Sequence, residues 1–168
     1  MIEHAYLIAL GSNRRHVRFG APEAIIDLAA WAIADGLGDV LARSRIVRSA
    51  PVGPSQRRYA NAALLVESDL APPDLLEGLQ HIETAMGRER RGQRWGARTL
   101  DLDIVLWSGG NFADEDLQIP HPRFRQRRFV LEPAARIAPS WRDPLTGLTL
   151  RQLAARLARH VSGRSRAL

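Results

Sequence analysis

The chain predicts an α+β protein with a ferredoxin-like βαββαβ core: an antiparallel sheet, its two core helices on one face, and a further C-terminal helix. Two observations carry that expectation. Short apolar or alternating runs are interleaved with two longer runs of helical period, in the order β-α-β-β-α-β. Glycine or proline also punctuates the chain where such elements must start or stop. The 168 residues suffice for one domain with a real core, and the apolar fraction of 45% fits a globular protein.

Taken in order, Tyr6 to Leu10 is a short apolar run ending at Gly11-Ser12-Asn13, a strand followed by a turn. Pro22 and Glu23 open a helix whose Ile25, Leu28, Ala29 and Ala32 share one face and which stops near Gly36 and Gly38. Val40 to Val47 alternates small or apolar residues with Arg43 and Arg45, and reads as one strand. The turn-rich loop from Ser49 to Arg58 leads to a further strand, Ala60 to Glu67. Pro73 suits the first turn of a second helix, with Leu75, Leu76, Leu79, Ile82 and Met86 on its buried face and Gly87 as its stop. A basic loop then runs into an acidic strand. Pro120 to Pro139 is punctuated by proline and rich in arginine, and Thr149 caps a last helix with a Leu150, Leu153, Ala154, Leu157, Val161 stripe. Residues 1–162 read as a single domain and 163–168 as a disordered tail.

The formal net charge is +6, and all 24 basic side chains are arginine. Without lysine there is no Walker A lysine, no kinase-type strand lysine and no Schiff-base chemistry. Any phosphate must be held by Arg, His, backbone N–H or metal. The chain has 0 cysteines, which excludes a thiol nucleophile and a Cys-based zinc site. No apolar run is long enough to span a membrane and the first residues lack a signal peptide's pattern, so a cytoplasmic protein is expected.

The chemistry centres on Arg94-Trp-Gly-Ala-Arg-Thr-Leu-Asp-Leu-Asp-Ile-Val-Leu106. Strand alternation puts Leu100, Leu102, Ile104 and Leu106 on one face, and Asp101, Asp103, Val105 and Trp107 on the other. Residues two apart on a strand lie roughly 6.5 Å apart, so both carboxylates point the same way and repel unless a cation lies between them. Oxygen ligands on a rigid element suit Mg²⁺, which completes its sphere with substrate phosphates. Arg88, Arg90, Arg91, Arg94 and Arg98 precede the pair; Arg123, Arg125, Arg127 and Arg128 follow it. Arginine beside such a pair is equipment for phosphoryl transfer. His121, between Pro120 and Pro122, is a loop histidine that could donate to phosphate or simply face solvent. Trp95 and Phe129 lie inside the basic segments as stacking surfaces for a planar ligand. Tyr59 and Asn61 share a strand face, where the amide offers the donor and acceptor that read a heterocycle edge. Glu83 breaks the apolar face of the second helix, either as an edge residue or as a ligand contact.

Tyr6-Leu-Ile-Ala-Leu-Gly-Ser-Asn13, Tyr59-Ala-Asn61, Arg94 to Asp103, and Ile119-Pro-His-Pro122 with Arg127-Arg-Phe-Val-Leu131 resemble the ordered motifs of the 6-hydroxymethyl-7,8-dihydropterin pyrophosphokinases of folate synthesis. The resemblance runs over nearly the whole chain and implies the same ferredoxin-like fold. It implies an ATP:pterin diphosphokinase that moves the β,γ-pyrophosphoryl group of ATP to the pterin hydroxymethyl oxygen. It makes Asp101 and Asp103 ligands of two Mg²⁺ ions, and Arg88, Arg98, Asp101 and Asp103 the catalytic set. Gln80, Arg88, Arg90, Arg98, Ile104, His121 and Arg127 would line the ATP site. Tyr59, Asn61, Trp95 and Phe129 would hold the pterin, with Ser49, Ala50 and Val52 as loop contacts and Glu83 near the substrate. The expected partners are these small molecules, with no nucleic acid, no membrane and a monomeric chain.

Departures from the family pattern are Ser49-Ala-Pro-Val-Gly-Pro54, Ala97 in place of proline, the Arg14 to Gly20 segment, and Asp116 and Gln118 near the nucleotide. The last two are left out of the expected site. The same strand order also occurs in RNA-recognition modules, but Ala60 to Glu67 offers no aromatic for base stacking. A non-catalytic nucleotide-binding domain is the third reading, and the complete metal, arginine and pterin sets argue against it.

Overall fold

The computed structural model describes residues 3–50, 58–87 and 99–165. In chain order they form β1 (His4–Ser12), α1 (Pro22–Gly36), β2 (Asp39–Arg43), β3 (Val47–Ser49), β4 (Tyr59–Ser68), α2 (Pro72–Ala85), β5 (Asp101–Trp107), β6 (Phe112–Ala113), β7 (Gln118–Ile119), α3 (Arg128–Ile137) and α4 (Leu150–Ser165). The main sheet runs β2-β4-β1-β5 with β3 also on β4, and every pairing is antiparallel. This is the split-βαβ order, with β1 and β4 central and β5 at an edge. A small β6–β7 hairpin stands apart from it.

β1 and β4 are apolar on both faces, so the sheet must be covered twice. Tyr6, Ile8 and Leu10 pack with Ile25, Ile26, Ala29 and Ile33 of α1 and with Leu75 and Leu79 of α2. Leu7, Ala9 and Ala63 pack on the opposite side with Val130, Leu131 and Ala134 of α3 and Leu150 and Leu153 of α4. Thus α1 and α2 share one face, as the element order requires, and α3 and α4 form a second layer.

Four local differences from the sequence expectation have physical causes. The single strand expected over Val40 to Val47 is two strands. Between them the Ser44 hydroxyl accepts the Ala63 N–H at 2.9 Å, a side chain taking the place of a ladder carbonyl. The segment Pro120 to Pro139 contains α3, whose Pro133 lies inside the helix and is buried in the second core. Proline there sacrifices one helical hydrogen bond, but its ring joins the apolar contact. On β5 the register with β1 shifts between Leu7 and Ile8. Alternation therefore resets past Val105: Leu106 joins Val105 in the second core, while Trp107 packs on the first. Finally, α4 continues past Gly163 to Ser165. Its start is as expected: Thr149 Oγ1 accepts the Gln152 N–H at 3.2 Å while Gln152 Oε1 accepts the Thr149 N–H at 3.0 Å.

Gly38 joins α1 to β2 at φ +151, where an added Cβ would lie 2.2 Å from the Glu67 carbonyl oxygen. No other residue fits so close an approach.

The α3–α4 layer is locked to the turn before it by one buried ion pair. Arg125 donates to both oxygens of Asp143 at 2.7 Å, and Thr146 Oγ1 and the Leu145 N–H donate to the same carboxylate. The Asp143 side chain is 0% exposed. Burial pushes its carboxyl up, but the hydrogen bonds from Arg125, Thr146 and Leu145 outweigh burial and hold it below its ordinary value of 3.8. Removing one partner of a buried pair typically costs about 3–5 kcal/mol. Asp143→Ala should therefore lower Tm by roughly 6–20 °C, measured by calorimetry. A folded carboxyl that titrates below its unfolded counterpart stabilises fully above about pH 4, and the contribution is lost as pH falls through the folded value. The variant should accordingly lose part of the wild-type protein's acid-limb pH dependence.

Candidate active site

Two rows of residues cross the sheet on the α3–α4 side. Gly11 pairs with Asn61 on β4 and with Asp101 on β5; Ala9 pairs with Ala63 and with Asp103. Opposed residues across a sheet share a face. Asn61 and Asp101 thus stand two strand spacings apart, roughly 9.5 Å, with glycine between them. Half-buried Gly11 leaves a shallow floor, walled on one side by Asn61 and on the other by Asp101, while Ala9 and Ala63 next to it are buried in the second core.

The wall at Asn61 is oriented. Its Nδ2 donates to Ser49 Oγ at 2.9 Å and to the Val47 carbonyl at 3.4 Å. A carbonyl only accepts, so the amide nitrogen faces β3 and Oδ1 faces the floor, 3.5 Å from where a Cβ on Gly11 would sit. Oδ1 is therefore an acceptor aimed at whatever lies on the floor. Tyr59 begins β4 on the same face as Asn61, and Phe129 sits in the first turn of α3. Phe129 is partly buried against the second core, with the Arg127 guanidinium 5.8 Å from its ring. The basic segment that holds Phe129 is thus the start of a helix that packs on the sheet.

At the other wall, Asp103 Oδ2 lies 3.8 Å from Arg127 Nη1 and 3.9 Å from His121 Nε2, and the Asp103 side chain is 44% exposed. His121 Nδ1 accepts the Arg123 N–H at 3.1 Å, which leaves the proton of the neutral ring on Nε2, facing the carboxylate. Burial pushes the His121 pKa down; Asp103 opposes that and Arg127 reinforces it, and the net shift is below the ordinary 6.5.

Beyond Asp103, along the outer edge of β5, a cleft of about 360 Å³ opens between β5, α2 and the β6–β7 hairpin. Ile104, Leu102, Leu76 and Leu117 give it apolar walls; Asp103 and His121 stand at one end, and Asp114, Glu115, Asp116 and Gln118 supply polar groups. Small-ligand sites of this kind run upward from roughly 300 Å³. Two hydrogen bonds finish the strand edge that borders it. Glu83, 3% exposed, accepts the Leu102 N–H at 2.8 Å, and the Val105 carbonyl accepts the His121 N–H at 3.0 Å.

The structure thus brings Asp101, Asp103, Ile104, His121 and Arg127 together at the β5 edge. Ser49, Tyr59 and Asn61 stand across the floor from them, with Ala50 exposed just past β3 and Gln80 one turn beyond Leu76 on α2. Val52, Arg88, Arg90, Trp95 and Arg98 lie outside the described residues. Glu83, expected near the substrate, puts its carboxylate on the Leu102 backbone. Asp116 and Gln118, left out of the expected site, line the cleft. The floor itself had a sequence signal: the glycine that ends the apolar run of β1, Gly11, leaves an open face.

An edge strand with two carboxylates, met by arginine and histidine and set between a floor and a cleft, is the framework of an enzyme that moves a phosphate-bearing group. Comparison with known proteins agrees. The chain belongs to the 7,8-dihydro-6-hydroxymethylpterin-pyrophosphokinase family, whose profile matches residues 7–139. It is 40% identical over 150 residues to the 2-amino-4-hydroxy-6-hydroxymethyldihydropteridine pyrophosphokinase of Synechocystis sp., covering 89% of this chain and 74% of that one. It is 40% identical over 147 residues to the enzyme of that name from Pseudomonas aeruginosa, covering 86% of each. Among solved structures, wild-type Plasmodium falciparum HPPK-DHPS with STZ-DHP superposes with a TM-score of 0.77 at 13% identity, over 97% of this chain and 45% of that one. That likeness shows the shared fold.

The electrostatic coupling around His121 predicts a titration experiment. Asp103→Asn removes the carboxylate that favours the charged imidazole, so the His121 pKa should fall further below 6.5, whereas Arg127→Gln should raise it. Imidazole proton shifts followed by NMR read both. A His121 pKa unmoved by Asp103→Asn would show that the two groups do not interact.

Proposed function

We propose that the chain transfers the β,γ-pyrophosphoryl group of ATP to the hydroxymethyl oxygen of 6-hydroxymethyl-7,8-dihydropterin, giving AMP and the pterin diphosphate for folate biosynthesis. Family membership supports the reaction. One observation supports its location here: the acid pair stands between the Gly11 floor, bounded by an aimed amide acceptor, and a cleft of about 360 Å³. The donor would lie in the cleft, the acceptor on the floor, and the transferred group would cross at Asp101 and Asp103.

In this reading the Asn61 Oδ1 accepts from an N–H of the pterin, Tyr59, Phe129 and Trp95 give its ring flat surfaces, and Ser49, Ala50 and Val52 contribute loop contacts. Ile104 and Gln80 take the nucleotide on the β5–α2 side. His121 and Arg127, with Arg88, Arg90 and Arg98 from the basic segment, hold the phosphates by charge-assisted hydrogen bonds. Asp101 and Asp103 would hold two Mg²⁺ ions; paired carboxylate oxygens on one strand face are hard donors of the right kind, with room left for phosphate oxygens. Mg²⁺ bound there would neutralise charge on the phosphates and stabilise the leaving AMP. The chain's own contribution is to hold the two substrates in line and exclude other acceptors. In this reading transfer is direct, without a covalent enzyme intermediate, the pterin hydroxymethyl oxygen itself attacking the β-phosphorus. The catalytic unit is a monomer of one domain that includes the whole of α4, and acts in the cytoplasm.

Attack at the β-phosphorus moves two phosphates together. Quantitative product analysis should give AMP and pterin diphosphate one to one, without ADP. Stoichiometric ADP would make the chain an ordinary kinase and overturn the proposal. The floor makes a separate prediction. Gly11→Val adds side-chain volume beside Asn61 Oδ1 on a strand that tolerates valine. Overpacking typically costs about 1–3 kcal/mol, so the pterin dissociation constant should rise roughly 5- to 150-fold while nucleotide affinity stays near wild type. Pterin fluorescence titration checks this, and unchanged pterin affinity would place the acceptor elsewhere.

A further inference from the structure

Among the described residues β5 is an edge strand, so its outer N–H and C=O groups meet no strand there. The amide between the two acids, Leu102 N–H, is satisfied by Glu83 Oε1 at 2.8 Å. Glu83 is 3% exposed and lies in the last turn of α2, at the negative end of that helix's dipole. Both circumstances disfavour a carboxylate, and a neutral glutamine would supply an acceptor. What the charge adds is strength, since a charge-assisted hydrogen bond is about twice as strong as a neutral one. The bond falls between Asp101 and Asp103, at the point where the strand's pleat sets the direction of both side chains. A carboxylate on that amide grips the strand between the two acids.

We infer that Glu83 is a positioning residue: its buried carboxylate clamps the Leu102 amide and so fixes the spacing of the Asp101 and Asp103 carboxylates that take up the divalent cation. This rests on the proposed transferase reading for its consequence in turnover, but not for its consequence in binding. Through Leu102, α2 and the acid pair form one rigid unit, and the cation's ligands are set before substrate arrives.

The test compares Glu83→Gln, which keeps an acceptor without charge, with Glu83→Ala, which keeps neither. Mn²⁺ affinity would be measured by electron paramagnetic resonance in the presence of α,β-methylene-ATP, which cannot release AMP. Leu102 amide exchange would be followed by NMR, and kcat and KM determined on the folded fraction. Leu102 protection and Mn²⁺ affinity should fall in the order wild type, Gln, Ala, with the alanine variant losing on the order of tenfold in each. The kcat should fall in the same order, with the pterin KM little changed. The proposal is overturned if both variants bind Mn²⁺ as the wild type does, or if Gln and Ala are equally impaired in Leu102 protection. Loss of thermal stability alone, with kcat and Mn²⁺ affinity intact, would reduce Glu83 to a packing residue. The binding and exchange measurements need no turnover. They stand even if product analysis showed a different reaction.

Discussion

The exposed edge of β5 is the constraint on which the site depends. A strand at the end of a sheet presents unpaired backbone groups that must be met by something other than another strand. Here Glu83 reaches in from α2 to the Leu102 N–H, and the backbone of His121 reaches in from the loop after β7 to the Val105 carbonyl. The two attachments bracket Asp103. They bring α2 on one side and the His121 loop on the other close to the strand without closing the space between them. That space is the cleft, and the residues that finish the edge also build its walls and deliver His121 to the Asp103 carboxylate.

On the inner side of the same strand the constraint is opposite. β5 must pair with β1, and β1 is covered by the α3–α4 layer as far as Ala9, but at Gly11 it has no side chain to join that core. The glycine leaves the Asp101 end of the acid pair beside a half-buried surface instead of packed core. A carboxylate pair could not survive full burial without compensation, because desolvating two like charges is costly. The half-exposed position of Asp103 leaves its carboxylate within reach of Arg127 and His121. The same carboxylate opposes the effect of burial on the His121 imidazole.

Much of this could be read in the sequence, and what could not has identifiable reasons. The β-α-β-β-α-β order, the acid pair, Asn61 and His121 are local patterns: period, turn residues and short motifs record them directly. The β5 bulge is not local, because it is a mismatch with β1, and so Leu106 and Trp107 face opposite to the simple alternation. The helix α3 was hidden by Pro133, a breaker by propensity that its buried contact outweighs. Glu83 looked like an edge residue or a ligand contact because the sequence does not record which backbone amide a helix will meet. Asp116 and Gln118 were set aside for departing from a family pattern, whereas the turn that bears them follows from the hairpin. There Asp114 Oδ1 accepts the Asp116 and Leu117 N–H groups at 2.9 and 2.7 Å.

The central claim is that donor and acceptor meet across the β5 edge. The most direct test is the structure of the ternary complex with α,β-methylene-ATP, Mg²⁺ and the hydroxymethyl pterin. The account predicts the pterin ring over Gly11 with an N–H on Asn61 Oδ1, the adenine against Ile104 in the cleft, and the hydroxymethyl oxygen within roughly 3–3.5 Å of the β-phosphorus. A nucleotide base lying over Gly11, or the two ligands on the same side of Asp103, would contradict it.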